Sequence, residues 1–470
     1  MTTPGWVSLL PPLLAIALAI GTRQVYLSLA AGVWMGATIL AGWNPVTGIG
    51  GTFDRFVGVF ADAGNTRVIL FTMVIGALIA TIEASGGVRG FVQWIERRSL
   101  VAGPRGARLL AFGVGLVIFI ESNITVLVSG AVARPLFDRY RVSREKLAYL
   151  IDSTSAPICV LIPLNAWGAY ILALLAGLGV ADPLGVMVRA IPMNLYALAA
   201  VVLAGTVAVT GLSLGGMKRA EERTRGGELL WADAKPLLDP AVLAPEPTTR
   251  IPPRALNMVV PIAVMVLTMP LGLLVTGGGD IRAGSGSTSV LWAVSAGLAA
   301  AWLLLLAQRG STVDELTRTG LTGAGGLVPM ALVLVLALAL GGVAREMGAG
   351  PYIAALTEGR LPPAAFIPLV FLSGAAIAFS TGTSWGTFAI MIPIVVPAAA
   401  ASGLPLEPFL AAALAGGIFG DHASPISDTT IVASMAAATD HIDHVRTQLP
   451  YALIAGGVAI LGFAAIGASL

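Results

Sequence analysis

The segment GIFGDHASPISDTTI places Asp421, His422 and Asp428 between alanine-rich apolar runs, although the 470 residues include only 3 His and 25 acids. A second segment, LIDSTSAPICVLIPLNAWG at residues 150–168, places Asp152 near a matching proline. Carboxylate and hydroxyl oxygens are the hard ligands that small alkali cations take. A carboxylate in a low-dielectric medium also holds a proton more readily, so a cation can compete with that proton. These residues predict a site for cations and protons.

Acidic side chains inside apolar sequence need a physical reason. An acid at the centre of a membrane helix costs on the order of 2.5 to 3.5 kcal/mol on insertion scales. Glu121, Asp152, Asp421 and Asp428 all lie in such sequence. We predict that these four acids line an internal polar pathway and are the candidates for proton coupling.

The surrounding sequence is that of a membrane protein. It is 56% hydrophobic and 11% charged, and an ordinary soluble domain has about twice that charged fraction. Apolar runs near 20 residues can each cross a hydrocarbon core about 30 Å thick; they include residues 25–43, 68–84, 257–277, 290–306 and 452–470. We predict an all-α polytopic membrane protein, with residues 1–21 forming the first membrane helix and not a removed signal peptide.

The polar segments also contain residues that break helices. Pro157, Pro163 and Pro425 lack a backbone donor, and glycines such as Gly382 weaken a helix. In hydrocarbon a break persists only where it faces protein or a wet cavity. We predict re-entrant hairpins or broken helices at residues 120–130, 150–168, 379–390 and 417–431. The candidate cation or substrate ligands there are Glu121, Ser122, Asn123, Thr125, Asp152, Ser153, Thr154, Thr381, Thr383, Ser384, Asp421, His422, Ser427, Asp428 and Thr429.

Two parts of the sequence match at a constant offset. Four pairs are each 262 residues apart: Gly86 and Gly348, Ser122 and Ser384, Thr125 and Thr387, and Pro135 and Pro397. After a six-residue insertion the match resumes at an offset of 268, with Pro157 and Pro425. Arg residues are dense at 94–108 and 134–146, whereas the matching stretches of the second copy, 356–366 and 396–407, contain one Arg and no Lys. Basic loops favour the cytoplasmic side. We therefore predict inverted-topology repeats, which are typical of secondary transporters.

One long hydrophilic interval, residues 213–254, separates the two copies. It contains KRAEERTRGGE and the Pro-rich LAPEPTTRIPPR. Its Lys and Arg residues place it in the cytoplasm by the positive-inside rule. We predict that it is a connector between two membrane halves.

Several of these residues have simpler explanations. Ser and Thr in membrane helices often bond to their own backbone, as Thr154 could, and His422 could be a structural histidine. His441 and His444, with Asp440 and Asp443, have a helical spacing that could form a metal site, which would suggest an intramembrane metalloenzyme. We favour an interfacial structural or gating role for them, because they lie at the edge of an apolar helix beside Arg446. Against a metalloenzyme, the sequence has no HExxH motif. We expect no enzyme activity, no cofactor and no transition metal.

A resemblance to a known family rests on three of these segments. FGDHASPISDTTI, followed by TDHIDHVRTQLPYAL, is similar to the signature region of NhaC-type sodium/proton antiporters, and SREKLAYLIDSTSAPICVLIPLNAWGAYI resembles their first-repeat counterpart. The resemblance covers residues 64–453. In many members the first hairpin carries an Asp-Asp-Tyr type motif and a following Asn. Here Glu121, Ser122, Asn123 and then Thr125 stand in that place, so one acid is present where two are common.

The resemblance implies a fold of the ion transporter superfamily with two inverted repeats, paired hairpins, and separate scaffold and transport domains, in a homodimer with an elevator-like movement. The corresponding divisions are 1–62 and 256–324 as scaffold helices, 63–212 and 325–470 as repeats one and two, and 213–255 as the cytoplasmic linker. The implied function is Na⁺/H⁺ antiport across the inner membrane, with Na⁺ and H⁺ as transported ions. The expected partners are membrane lipid and a second copy, and the net charge of +2 suggests no nucleic acid.

One alternative uses the same scaffold. The chain could transport a small organic solute, such as a carboxylate or an amino acid, coupled to Na⁺ or H⁺. Asn123, Asn165 and Trp167 support this alternative, because the breaks would offer hydrogen-bond donors to an anionic group.

Overall fold

The computed structural model describes residues 5–22, 24–96, 103–119, 122–163, 165–236, 250–280, 284–349, 352 and 362–470. Throughout these ranges the regular structure is helical, and they contain no strand. This confirms the predicted all-α class. An apolar segment that forms a helix satisfies its backbone N–H and C=O groups with hydrogen bonds inside the segment, as a membrane requires.

Twelve α-helices of the described residues precede the hydrophilic interval. They are α1 (Leu10–Thr22), α2 (Val25–Leu40), α3 (Pro45–Val59), α4 (Ala63–Ala84), α5 (Gly87–Glu96), α6 (Gly103–Val117), α7 (Ser122–Arg139), α8 (Arg144–Ser153), α9 (Ala156–Leu161), α10 (Ala166–Gly177), α11 (Pro183–Ala190) and α12 (Leu195–Thr210).

The second part begins with α13 (Gly216–Arg225), in the hydrophilic interval. It continues with α14 (Leu256–Thr276), α15 (Gly286–Ala307), α16 (Val313–Gly326), α17 (Val328–Glu346), α18 (Pro363–Thr381), α19 (Ser384–Ser402), α20 (Leu406–Ala423), α21 (Asp428–Ala437) and α22 (His441–Ala468).

Six of the described helices are long and apolar enough to cross a membrane: α4, α14, α15, α18, α19 and α22. Up to nine spans are present in the described residues if each of three sharply bent helix pairs counts as one. The first apolar segment, from Trp6 to Leu18, forms only a shorter apolar helix. These helices make the chain a multi-pass membrane protein.

Helices break where the sequence predicts. α6 and α7 pack together as one helical hairpin, and α18 and α19 form a second, with Gly382 and Thr383 at its tip. Gly382 has φ +69°, a left-handed conformation that glycine adopts without a Cβ clash. Thr154 and Ser155 separate α8 from α9, and residues 424–427 separate α20 from α21. The hairpins and broken helices of the two copies thus stand at matching positions, while their inverted topology stays a prediction.

Helix α20 is buried along nearly its whole length and packs tightly against α18. A Cβ on Gly416 would lie 2.2 Å from the carbonyl oxygen of Phe371, and one on Gly420 would lie 2.1 Å from that of Ala375. Glycines four residues apart let two helix backbones approach closely, which is how membrane helices commonly pack. The spacing of Gly416 and Gly420 therefore sets the position of Asp421 and His422, which follow directly in α20.

Gly420→Ala is expected to destabilise the protein by about 1–3 kcal/mol, because the new methyl group overpacks a backbone contact that cannot move aside. Thermal unfolding of the purified protein in detergent measures the effect. Gly457→Ala in α22 is the matched control, since no atom lies within 4 Å of a Cβ built there, and its melting temperature should be unchanged or slightly higher. Equal melting temperatures for the two variants would contradict the close α18–α20 contact.

The hydrophilic interval is more than a connector. Arg223 of α13 forms a two-pronged ion pair with Glu145 at the start of α8, at 2.8 and 3.0 Å, and both side chains are buried. Glu221 accepts a hydrogen bond from the hydroxyl of Ser143 at 2.8 Å and lies 3.3 Å from Lys146. In the sequence these charges indicate a solvated linker. In the structure they pair with charges of α8, and these ion pairs hold α13 against the membrane helices.

Candidate functional site

Asp152 lies at the end of α8, just before the break, and its side chain is only 1% exposed. Its Oδ2 accepts hydrogen bonds from Gln448 Nε2 at 2.7 Å and from Thr430 Oγ1 at 3.2 Å. Its Oδ1 is buried and has no hydrogen-bond partner within the described ranges. The donors come from α22 and α21, so this carboxylate of the first copy is bound by side chains of the second copy.

The titratable side chains near Asp152 are histidines. Nε2 of His422 lies 3.7 Å from Oδ2 of Asp152, and Nε2 of His444 lies 4.0 Å away. No Lys or Arg of the described part of the chain lies within 4.0 Å of this carboxylate. A permanent cation would keep the group ionised. Neutral donors and imidazoles instead allow Asp152 to gain or lose a proton without leaving a buried Lys or Arg unpaired.

His422 connects the two copies. Its Nδ1 lies 2.7 Å from the hydroxyl of Tyr196 on α12, and its Nε2 lies 3.2 Å from the hydroxyl of Ser153 on α8. Its own carbonyl accepts a hydrogen bond from Gln448 Nε2 at 2.8 Å. Both ring nitrogens are therefore bonded, so the histidine joins α20 to α8 and α12, and it directly follows Asp421 in the chain.

Asp421 faces the tip of the second hairpin. Ser384, the first residue of α19, donates its hydroxyl to Oδ2 of Asp421 at 2.5 Å, and the same hydroxyl lies 3.3 Å from the carbonyl oxygen of Gly417. All three residues are buried. A carboxylate, a hydroxyl and a carbonyl at one point supply the kind of oxygens that alkali cations take.

Each hairpin tip packs against the break of its own copy. Ser424 donates its hydroxyl to the carbonyl of Phe379 at 2.7 Å, near the second tip. Asn165 donates to the carbonyls of Phe119 and Cys159, both at 2.8 Å, near the first tip. These side chains satisfy backbone carbonyls that the helix breaks leave without an intrahelical donor.

A second polar chain runs from Asp152 along α22. His444 is fully buried, with Nε2 2.9 Å from Oε1 of Gln448 and Nδ1 2.9 Å from the hydroxyl of Ser434. The same hydroxyl lies 3.0 Å from Nδ1 of His441, whose Nε2 lies 2.6 Å from the carbonyl oxygen of Pro425. Within the described residues, no group of three or more His, Cys, Asp or Glu could hold a metal ion. The two histidines instead continue the hydrogen-bond network of Asp152.

Several predicted ligands have local roles. The hydroxyl of Thr154 donates to the carbonyl of Leu150, and that of Thr381 to the carbonyl of Ile377, each one helical turn back. Ser427 caps α21 through the backbone N–H of Thr430, and its hydroxyl lies 3.0 Å from that of Thr429. These contacts fit the simpler explanation given above for Ser and Thr.

The remaining predicted ligands lie around the two hairpin tips. Thr125 donates its hydroxyl to the carbonyl of Ile118. Ser122 is buried as the first residue of α7, and the carbonyl of Thr383 accepts from Thr387 at 2.9 Å. Glu121 and the side chains of Asn123 and Asp428 lie outside the described residues.

The site also contains residues that the sequence did not indicate. Tyr196, Thr430, Ser434 and Gln448 all hydrogen-bond to Asp152 or to a histidine. Gln448 carries the clearest missed signal, because it lies four residues after His444 and therefore on the same helix face. Tyr196 lies in an otherwise apolar helix far along the chain, and nothing in its local sequence connects it to His422.

Comparisons with known proteins identify the family of this chain. The model of the Na⁺/H⁺ antiporter family matches residues 158–468. An uncharacterized protein of Haemophilus influenzae is 36% identical over 490 residues, covering 98% of this chain and 90% of that protein. The arginine/ornithine antiporter ArcD of Halobacterium salinarum is 29% identical over 44% of this chain and 41% of its own length. The malate-2H⁺/Na⁺-lactate antiporter of Bacillus subtilis is 28% identical over 35% of each chain.

Among solved structures, the YdaH transporter of Alcanivorax borkumensis has a similar fold. Its TM-score is 0.58 at 14% sequence identity, and the match covers 90% of this chain and 88% of that one. At this identity the likeness concerns the fold alone.

Proposed function

Because the chain belongs to the Na⁺/H⁺ antiporter family, we propose that it exchanges Na⁺ for protons across the inner membrane. One observation carries the proposal: the buried carboxylate of Asp152 contacts neutral donors and histidines, directly beside the helix that bears Asp421. A transported proton needs a group that can be charged or neutral in a low dielectric. Asp152 has the surroundings of such a group.

We assign the cation to the other aspartate. Asp421, Ser384 and the carbonyl of Gly417 supply oxygens at the second hairpin tip, and a cation bound there would replace the hydroxyl hydrogen of Ser384 as the partner of the carboxylate. The positive charge would repel a proton on Asp152, because Asp421 directly precedes His422, whose Nε2 lies 3.7 Å from Oδ2 of Asp152. Binding of Na⁺ would thus favour release of the proton, which couples the two ions.

The proposal includes the wider organisation implied by the resemblance. The chain would work as a homodimer, with the hairpins and broken helices moving as a transport domain against the scaffold helices. Ions would reach the hairpin tips alternately from the two sides of the membrane.

Proteoliposomes with an acidic interior test the exchange. The purified protein should dissipate the pH gradient when Na⁺ is added outside, because inward movement of Na⁺ drives protons out. Choline chloride is the matched control salt, and protein-free liposomes give the leak. No response to Na⁺, Li⁺ or K⁺ between pH 6 and 9 would contradict cation antiport.

A second candidate function is transport of a small organic solute, since two relatives are named as antiporters of arginine/ornithine and of malate and lactate. Asn165 donates hydrogen bonds to two backbone carbonyls. Trp167 packs at a tilt against Trp385, with ring centroids 4.9 Å apart. Both residues therefore have structural roles in this structure. Thermal-shift measurements with amino acids and carboxylates, with and without Na⁺, separate the candidates. Strong stabilisation by an organic ligand would favour solute transport.

A further inference from the structure

We propose that His441 and His444 share one proton across Ser434 and relay protons between Asp152 and the linker side of the protein. The relay deepens the proposed function, and it rests on that function for the role of Asp152.

The tautomers of both histidines follow from their partners. The amide nitrogen of Gln448 gives its two hydrogens to Asp152 Oδ2 and to the carbonyl of His422. Its Oε1 therefore accepts a hydrogen from Nε2 of His444. The carbonyl of Pro425 likewise accepts a hydrogen from Nε2 of His441. In the neutral form each ring then presents an unprotonated Nδ1, and both Nδ1 atoms face the hydroxyl of Ser434.

Ser434 has too few hydrogens for its neighbours. Its single hydroxyl hydrogen faces three acceptors: the carbonyl of Thr430 at 2.8 Å and the Nδ1 atoms of His441 and His444 at 3.0 and 2.9 Å. One added proton removes this shortage, because a charged ring donates to the oxygen of Ser434 while the hydroxyl hydrogen goes to the other ring. Buried polar groups without partners are costly. The geometry thus favours one proton shared by the two imidazoles.

The outer end of this path lies against the linker. His441 is partly exposed as the first residue of α22, whereas His444 is fully buried. Asp440 caps α22, and its Oδ2 also accepts a hydrogen bond from the backbone N–H of Lys235 in the linker, at 2.9 Å. The positive-inside rule places that linker in the cytoplasm. The relay would therefore open toward the cytoplasm.

The proton count closes along the path in either direction. For uptake, a proton on Nδ1 of His441 passes to the oxygen of Ser434, and the hydroxyl hydrogen passes to Nδ1 of His444. His444 then gives its Nε2 hydrogen to Oδ2 of Asp152, which needs the 4.0 Å separation to shorten to hydrogen-bond distance. Asp152 ends neutral, and both imidazoles are uncharged, but the hydrogen of His444 is now on Nδ1. A half-turn of that ring restores the Nε2–H tautomer before the next proton enters. Release to the cytoplasm runs the same transfers backward, starting from the Nδ1–H tautomer of His444.

Other titratable groups surround the pair and will shape its pH dependence. Among described side chains, Asp152 on α8 and His422 on α20 face His444 from neighbouring helices. Asp440 and Asp443 share α22 with the pair, and Glu145, Asp233 and Arg223 act on Asp443 from α8 and the linker. Arg144 of α8 donates a hydrogen bond to the carbonyl of Ala438, the residue that follows α21, at 3.0 Å.

Nitrogen NMR of ¹⁵N-histidine-labelled full-length protein tests the shared proton, because the chain has only 3 His. The Nδ1 signals of His441 and His444 should titrate together, with common midpoints, as coupled sites do. Ser434→Ala should separate the two titrations. Ser129→Ala is the matched control, since Ser129 is another fully buried serine whose hydroxyl has no hydrogen-bond partner in the described structure, and it should preserve the coupling. Independent titration in the unmodified protein, or coupling that survives Ser434→Ala, would overturn the proposal.

Transport measurements then distinguish the relay from the proposed function. In proteoliposomes Ser434→Ala should slow Na⁺-driven proton movement at least tenfold and leave Na⁺ binding unchanged, while Ser129→Ala should transport at the unmodified rate. Equal rates for Ser434→Ala and Ser129→Ala would overturn the relay even if exchange occurs. If the unmodified protein showed no exchange, the proposed function would fail, and the NMR titrations would still decide whether the imidazoles share a proton.

Discussion

Asp152→Asn is expected to reduce Na⁺-driven proton movement to the level of protein-free liposomes. The asparagine amide neither binds nor releases a proton between pH 6 and 9, so the proton carrier at this position is lost. The oxygen of the new amide can still accept from Gln448 and Thr430, and the substitution removes a buried charge without adding volume. The variant should therefore fold, and the loss should be one of transport.

A control variant and a melting temperature test whether the loss is specific to transport. Asp314→Asn changes an exposed acid that pairs with Arg318 on α16, and it should exchange at the unmodified rate, because exposed ion pairs contribute little. The melting temperature of Asp152→Asn should match that of the unmodified protein within a few degrees. A folded Asp152→Asn protein that still moved protons with Na⁺ would exclude Asp152 as the carrier.

Asp421→Asn is expected to weaken Na⁺ binding by roughly 100-fold or more. A cation and a carboxylate at about 4 Å attract by about 4 kcal/mol at the effective dielectric constant of about 20 typical of protein sites, and each 1.4 kcal/mol is a factor of ten in affinity. Part of that attraction is offset by hydration in the unbound state, which is why the expected loss is smaller than the full Coulomb energy. Release of protons on addition of Na⁺ to weakly buffered protein in detergent measures the effect.

Ser384→Ala provides the graded comparison for this site. It removes one hydroxyl oxygen and leaves the carboxylate of Asp421, so Na⁺ binding should weaken by about tenfold, the value of a single hydrogen-bond-strength contact to a charge. If Asp421→Asn bound Na⁺ as tightly as the unmodified protein, the cation would have to lie elsewhere, and the assignment of the second hairpin tip would be wrong.

The sequence predicts the parts of this structure that follow from local chemistry. Apolar runs near membrane length become helices, and Pro157 and Pro425 lie where α9 begins and where α20 has ended. The acids Asp152 and Asp421 were identified because charge in apolar sequence is costly. Both are buried in the structure; Asp152 lies 3.7 Å from Nε2 of His422, and Asp421 directly precedes His422 in the chain.

What the sequence could not predict depends on how distant segments pack. The contact between Tyr196 and His422 joins residues of α12 and α20, and that between Asp152 and Gln448 joins α8 and α22. No periodicity within one helix indicates such pairs. The ion pair of Arg223 with Glu145 could not be predicted either, because a charged interval is interpreted as solvated unless its charged partner is known. The sequence likewise indicates interfacial positions for His441 and His444, because it does not show their contacts with Ser434.

The most direct test of the account is whether Na⁺ and protons compete. Na⁺ added to the unmodified protein in weakly buffered detergent solution should release protons, detected with a pH indicator, and the release should saturate with Na⁺ and be absent with choline. Asp152→Asn should release none, because it carries no proton to lose. Proton release that is absent in the unmodified protein, although Na⁺ binds, would contradict exchange between Na⁺ and the proton of Asp152.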